Sequence, residues 1–240
     1  MTRAELEHII RAAAAISGDD EIVVIGSQSV LAPGVRRPAA RAARGMSGSA
    51  TRRLGFDELY EQIRALPDGQ TGMILEPGEL TVPPRPHSRH QRALKGLLYA
   101  LRGRDVDGGG TGWWILAEVE VRLGDRLLVP DLLGYRVERV PALPDDNPLQ
   151  LVPDWTCEIL SPGSARADRL QKLRIYAQHG VAWTWLVDPE ARTVECFEAV
   201  DQLPRQAAVA SDGDSISLPP FDLPIAVDAI WGARSGPVER

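Results

Sequence analysis

Sulfur is scarce in this chain, and that scarcity removes two classes of protein. The 240 residues hold two cysteines and three methionines. Cys157 and Cys196 have no second cysteine or histidine at metal-ligand spacing, so neither a disulfide scaffold nor a zinc finger is encoded. Each falls in a segment that reads as strand, where a reduced thiol packs as a small apolar group. Long apolar runs are also missing: no stretch of about eighteen such residues occurs, so no membrane-spanning helix is expected. The N-terminus lacks the charged-then-apolar pattern of a secretory leader, and the expected location is the cytoplasm. Positive charge is in deficit, with 27 Lys and Arg against 33 Asp and Glu and a net charge of −6. That balance argues against broad, nonspecific affinity for nucleic acid, because phosphate contacts need concentrated Lys and Arg. What is present, 44% hydrophobic and 25% charged residues, suits one main globular domain with extra segments.

Three ionisable residues stand out by their placement. Residues 113–123 (WWILAEVEVRL) alternate and lead into Gly124-Asp125, a favoured hairpin turn composition, after which residues 127–131 return as a second strand. A two-residue turn pairs Leu123 with Arg126, Val121 with Leu128 and Glu118 with Asp131. Two acids then face one another across the ladder, which is destabilising unless something compensates, and a divalent cation would do so. Ile115, Ala117, Val119, Val121, Leu128 and Leu132 form the expected core face. Residues 154–161 (DWTCEILS) read as a strand apolar on both faces, with Trp155, Cys157 and Ile159 pointing one way and Thr156, Glu158 and Leu160 the other. A carboxylate there needs a partner, a metal or a proton. Residues 164–180 read as a helix with Leu170, Leu173, Tyr176 and Ala177 on its inner stripe and Gly180 as its stop. Lys172 projects from its middle.

This trio suits metal-assisted cleavage of a phosphodiester. Magnesium, or manganese in its place, takes oxygen ligands, commonly one or two carboxylates plus substrate phosphate. Asp131 and Glu158 would supply them, with Glu118 as a third acid facing Asp131. Lys172, with acids nearby favouring its charged form, is assigned electrostatic work on the transition state rather than service as a base. Each residue alone has a plainer reading: Asp131 as a turn signal after Pro130, Glu158 as half of an ion pair, Lys172 as the surface partner of Asp168 four residues earlier. The order of the three on strand, strand and helix favours a site.

Substrate contacts are expected from residues 86–103 (PHSRHQRALKGLLYALRG), an amphipathic helix with Leu94, Leu97, Leu98 and Leu101 inward. Arg89, Arg92 and Lys95, with Arg85 just before, would grip a phosphate backbone, and His90 would join them as ligand or relay, although packing or capping is the plainer role for His87 and His90. Further on, residues 183–188 read as a buried strand, 193–199 as its return, 215–218 as a short strand and 225–231 as a terminal helix or turn. Trp155, Trp183 and Trp185 are expected in the core. The order of elements gives an α/β fold, a mixed sheet with an antiparallel hairpin flanked by helices.

Several runs carry a resemblance. GELTVPPRPHSRHQRAL from Gly78, AEVEVRLGDRLLVPDL from Ala117, and the long run PDWTCEILSPGSARADRLQKLRIYAQHGVAWTWLVDPEARTVECFE from Pro153 are similar to the Uma family of restriction-endonuclease-like proteins, within the PD-(D/E)XK nuclease-like superfamily. The resemblance implies a restriction-endonuclease-like core over residues 54–233, followed by a tail at 234–240. It matches Asp131 and Glu158 to metal-binding acids and Lys172 to a lysine moved from the strand, where Leu160 now stands, onto the helix. It also implies a magnesium-dependent endonuclease acting on DNA, working as a homodimer. The rival reading is an inactive nuclease fold serving as a DNA-binding or interaction module, because an acid usual in the family is replaced by Ile74 unless Glu118 or Glu76 substitutes. Residues 1–31, a helix and strand ending in Gly26-Ser27-Gln28, resemble the opening of a small bacterial nucleotidyltransferase-like protein. Residues 32–53, rich in Pro, Ala, Arg and Gly, read as a flexible linker.

Overall fold

The computed structural model describes residues 53–222 and 224–232. The helix-strand fragment expected at 1–31, nearly all of the 32–53 linker and the 234–240 tail lie outside the described residues.

A six-stranded sheet organises these residues, in the order β1 (Trp113–Ala117), β4 (Leu132–Arg136), β5 (Trp155–Ile159), β6 (Trp183–Asp188), β7 (Thr193–Val200) and β8 (Leu203–Ser211). Only β5 and β6 run parallel; the other neighbours are antiparallel. A parallel pair cannot be joined by a tight turn and needs a crossover. The crossover here is a helical segment built from α3 (Ala165–Ala167), a π-helical turn (Asp168–Lys172) and α4 (Leu173–Gln178). It carries Lys172 over the sheet. The fold is therefore the mixed α/β sheet flanked by helices that the pattern predicts.

The expected 113–123 strand is two strands. Glu118 adopts a left-handed backbone, φ 54°, so β1 ends at Ala117, which is exposed rather than on the core face. The chain resumes as β2 (Val121–Leu123), paired with β3 (Arg126–Leu128) in a separate hairpin. The expected register holds there, Leu123 with Arg126 and Val121 with Leu128. Gly124 takes the turn at φ 64°, a conformation glycine adopts without steric cost.

Two apolar layers cover the sheet. On one face α2 (Ser88–Leu101) buries Leu94, Leu97 and Leu101 against Trp155, Cys157 and Trp185. Phe221 completes an edge-to-face aromatic cluster, with ring centroids 4.9 Å from Trp155 and 5.4 Å from Trp185. Trp183 is only half-buried. On the other face Ile175 and Tyr176 pack on Leu133, Tyr135 and the β2–β3 hairpin. An unanticipated helix, α1 (Phe56–Arg64), adds Leu59 and Ile63 to a satellite cluster with Ile74 and Leu127. The strand β8 was not foreseen either. Cys157 and Cys196 are buried free thiols. Among the described residues no helix is long and apolar enough to cross a membrane.

The described residues end with β9 (Ser215–Ser217) paired to β10 (Pro224–Ala226) and a short α5 (Val227–Ile230). The last helix lies against α2 at Gly96, where a Cβ would fall 2.0 Å from the Ile230 carbonyl oxygen. Gly96→Ala is accordingly expected to cost about 1–3 kcal/mol or more through overpacking, although alanine is the better helix former. A denaturant titration showing Gly96→Ala as stable as the wild type would contradict this packing.

Candidate active site

Register alone brings the first two acids together. Leu132 is paired with Cys157 across β4 and β5, so one step further along the ladder Asp131 stands opposite Glu158. Like charges in that arrangement repel, and the surrounding groups show how the protein holds them. Asp131 Oδ2 accepts a hydrogen bond from the Ile159 backbone N–H at 2.6 Å. Its Oδ1 lies 2.9 Å from His90 Nε2, which reaches in from the first turn of α2. Glu158 Oε2 accepts from Lys172 Nζ at 2.7 Å, and its Oε1 accepts from the Tyr176 hydroxyl.

Lys172 reaches Glu158 because the crossover helix is widened. The Leu173 N–H donates to the Asp168 carbonyl, a five-residue step that defines a π turn. Within it Asp168 and Lys172 both face inward, and Asp168 Oδ1 is 2.9 Å from Lys172 Nζ, an ion pair off the directional hydrogen-bond axis. The extra residue shifts the phase of the helix. Leu170, expected on the inner stripe, is 56% exposed, while Asp168 and Lys172 are 1% and 6% exposed. The Asp168–Lys172 pair is thus a buried device and not the surface pair that its spacing suggests.

Glu158 and Asp168 share one ammonium, and the crowding shows in the ionisation of Glu158. Burial pushes the Glu158 carboxyl up to about 8; Lys172 opposes the shift, and Asp168 and Asp131 add to it. Burial alone would depress the Lys172 ammonium, but Glu158 and Asp168 outweigh it and hold the group above its ordinary range. Tyr176, raised by burial and by Glu158, stays a hydrogen-bond donor.

The other expected residues divide. Glu118 lies beside Asp131 through its backbone, its N–H donating to the Asp131 carbonyl at 3.2 Å, as the hairpin register predicts. Its side chain, however, is exposed and makes no hydrogen bond or ion pair with the cluster. The left-handed turn at Glu118 is the physical reason, since it redirects the Cβ. Ile74 is fully buried among Leu59, Ile63 and Leu127, and Glu76 pairs with Arg126 at 3.5 Å, so neither stands in the cluster. His90 sits at the site by way of Asp131. Arg89 and His90 line a cleft of about 410 Å³ together with Ser88, Leu160 and Ser161. Arg92 lines a neighbouring cavity of about 320 Å³, whereas Lys95 and Arg85 line neither. Asp168 and Tyr176 were missed as site residues. The only sequence signal for them was a buried-stripe tyrosine needing a partner for its hydroxyl and an acid four residues before the lysine.

Among the described residues no three His, Cys, Asp or Glu side chains are grouped so as to hold a metal ion together. The donor set that is present, Asp131 and Glu158, fits the kind of site magnesium favours, where one or two carboxylates bind a largely hydrated ion. Each carboxylate oxygen already has one protein partner, yet a carboxylate offers about four lone-pair positions.

Two stability measurements follow. Lys172→Met leaves the buried Asp168 carboxylate without its counter-charge and is expected to cost about 3–5 kcal/mol near neutral pH. Because the Glu158 carboxyl sits above its ordinary value of 4.5, its contribution to stability is complete below about 4.5 and is lost as pH rises toward 8. Glu158→Gln should therefore lose less stability than the wild type between pH 5 and 8 in urea titrations. A steeper loss in the variant would contradict the assignment.

Comparison with known proteins agrees with this architecture. A search of curated proteins finds no significant match. A solved structure from Anabaena variabilis ATCC 29413, described as a putative nuclease belonging to DUF820, superposes with a TM-score of 0.57 at 20% identity, covering 74% of this chain and 97% of that one. That likeness shows the fold, a restriction-endonuclease-like core. The Uma2 family model, described as "Putative restriction endonuclease", matches residues 58–228, which include every residue of the acid–lysine cluster. The chain belongs to the Uma2 family.

Proposed function

We propose that this protein is a metal-dependent endonuclease that hydrolyses DNA phosphodiester bonds at the Asp131–Glu158–Lys172 cluster. The observation that supports it most is a buried lysine ammonium held 2.7 Å from a glutamate, with an aspartate facing that glutamate across the ladder, beside an open cleft. Asp131 and Glu158 would hold Mg2+ or Mn2+. Bound there, such an ion supplies a Lewis acid and a water that ionises near neutral pH.

The chain's own groups have separable tasks. The Ile159 N–H and His90 fix both oxygens of Asp131, so its carboxylate is oriented before any ligand arrives. Tyr176 and Lys172 do the same for Glu158. An ammonium has three donors. Glu158 accepts from one of those on Lys172, while Asp168 pairs with the group off the hydrogen-bond axis, leaving donor capacity for a phosphoryl oxygen or an attacking water. Since its acids keep Lys172 charged, its task is to stabilise negative charge in the transition state. Leu160 packs with Leu173 and Leu186 where the lysine of the usual triplet would project, and the helix-borne lysine replaces it from above. Cutting both strands of a duplex would call for two such sites, which a homodimer would provide.

The second reading, a noncatalytic DNA-binding or interaction module, draws support from the apolar Ile74 at the position of a family acid and from the net charge of −6. Incubation with plasmid, single-stranded DNA and RNA in Mg2+ or Mn2+ separates the two. The nuclease reading expects DNA cleavage by the wild type, lowered about 100-fold or more in Asp131→Asn and Lys172→Met, the scale of losing one preorganised electrostatic contact. Equal cleavage by all three would discard it, and binding without cleavage would favour the module.

Metal binding should also carry the imprint of Glu158. A proton on this carboxyl competes with a cation, so calorimetric Ca2+ affinity is expected to rise between pH 6 and 8 and level off above, following the value of about 8. Affinity that is flat over this range would count against Glu158 as a ligand.

A further inference from the structure

The cleft beside the cluster does not end there. Its lining residues Ser88, Arg89 and Pro189 also line the 320 Å³ cavity, so the two adjoin along the N-terminal half of α2. The second cavity is walled by Arg89, Arg92 and Arg192, with Trp231 at its side, and no acidic side chain lines it. Arg192 is paired with Asp212 and lies 5.8 Å from the centre of the Trp231 ring. Trp231 in turn donates its indole N–H to Asp212 at 2.8 Å. Asp212 thus neutralises Arg192 and holds its guanidinium in place.

Arg89 and Arg92 differ from it. Three residues apart on one exposed helix face, they make no ion pair or side-chain hydrogen bond among the described residues. Two uncompensated guanidinium groups converge on one concave space in a protein of net charge −6. Guanidinium matches phosphate geometry in two-pronged hydrogen bonds and keeps its charge at every working pH. The end of the groove at His90 abuts Asp131, where the scissile phosphate belongs on the reading above.

We propose that the arginine-walled cavity seats the phosphate next to the scissile one on the same DNA strand, with Arg89 and Arg92 as its contacts and Arg192, braced by Asp212 and Trp231, closing the far wall. This rests on the nuclease reading for the identity of the strand, and it adds a requirement: the substrate must present two consecutive phosphates to one groove. Lys95, on the same helix but outside the groove, has no part in it.

The test is binding of a fluorescein-labelled DNA oligonucleotide to the full chain in EDTA, followed by anisotropy across a salt series. Arg89→Ala and Arg92→Ala are each expected to weaken binding about five- to tenfold at low salt and to lower the salt slope by about one, the signature of one lost phosphate contact. Lys95→Ala should stay within about twofold of wild type and keep its slope. Unchanged affinity and slope in both arginine variants would overturn the proposal, as would an equal loss in Lys95→Ala, which would mean diffuse attraction only. Because no metal is present, the result stands apart from cleavage. A wild type that binds through these arginines but never cuts refutes the nuclease and keeps the subsite, and one that cuts while the arginine variants bind normally does the reverse.

Discussion

One ammonium held between two buried carboxylates is the contact on which this site depends. Lys172 touches both Glu158 and Asp168, and without it neither buried acid would keep the ion pair that offsets its burial. Desolvating three acids and a lysine together costs far more than a surface pair, and the attraction between them offsets that cost only if the geometry is held closely. The protein holds it with rigid parts: a parallel strand pair, a crossover helix packed on it, and a π turn that aims two side chains at one glutamate.

The same arrangement leaves two buried acids, Glu158 and Asp168, sharing one ammonium. A structural ion-pair network would be expected to balance, whereas here the Glu158 carboxyl is lifted to about 8 by burial and by its acidic neighbours. Perturbed groups of this kind beside a cleft are common at functional sites. The imbalance suits a site completed by a cation. It also separates stability from function, since residues that would serve a ligand best are those that destabilise the empty fold.

Much of this was legible in the sequence because the period-two pattern fixes which way each side chain points. Alternation in residues 154–161 put Glu158 on the face opposite Trp155 and Cys157, and the hairpin turn at Gly124 set the register that brings Glu118's backbone beside Asp131. What alternation does not carry is a change of backbone hand or of helix pitch. The left-handed Glu118 broke one expected strand into two and turned its carboxylate away. The π turn displaced Leu170 and brought Asp168 inside. Both departures come from single-residue conformations that tertiary packing selects, and both fall at the site, where local rules are most often broken for function. Ile74 shows the opposite case: a position where the resemblance expected an acid is an ordinary core residue under α1.

The account stands or falls on whether Asp131 and Glu158 hold one divalent ion between them. Crystals of the full chain soaked in Mn2+ would decide it through anomalous scattering. The account predicts a peak within about 2.0–2.3 Å of a carboxylate oxygen from each residue, allowing for the larger ion beside magnesium, in the wild type and not in Asp131→Asn. Saturating Mn2+ that leaves this position without a peak while occupying another would contradict it.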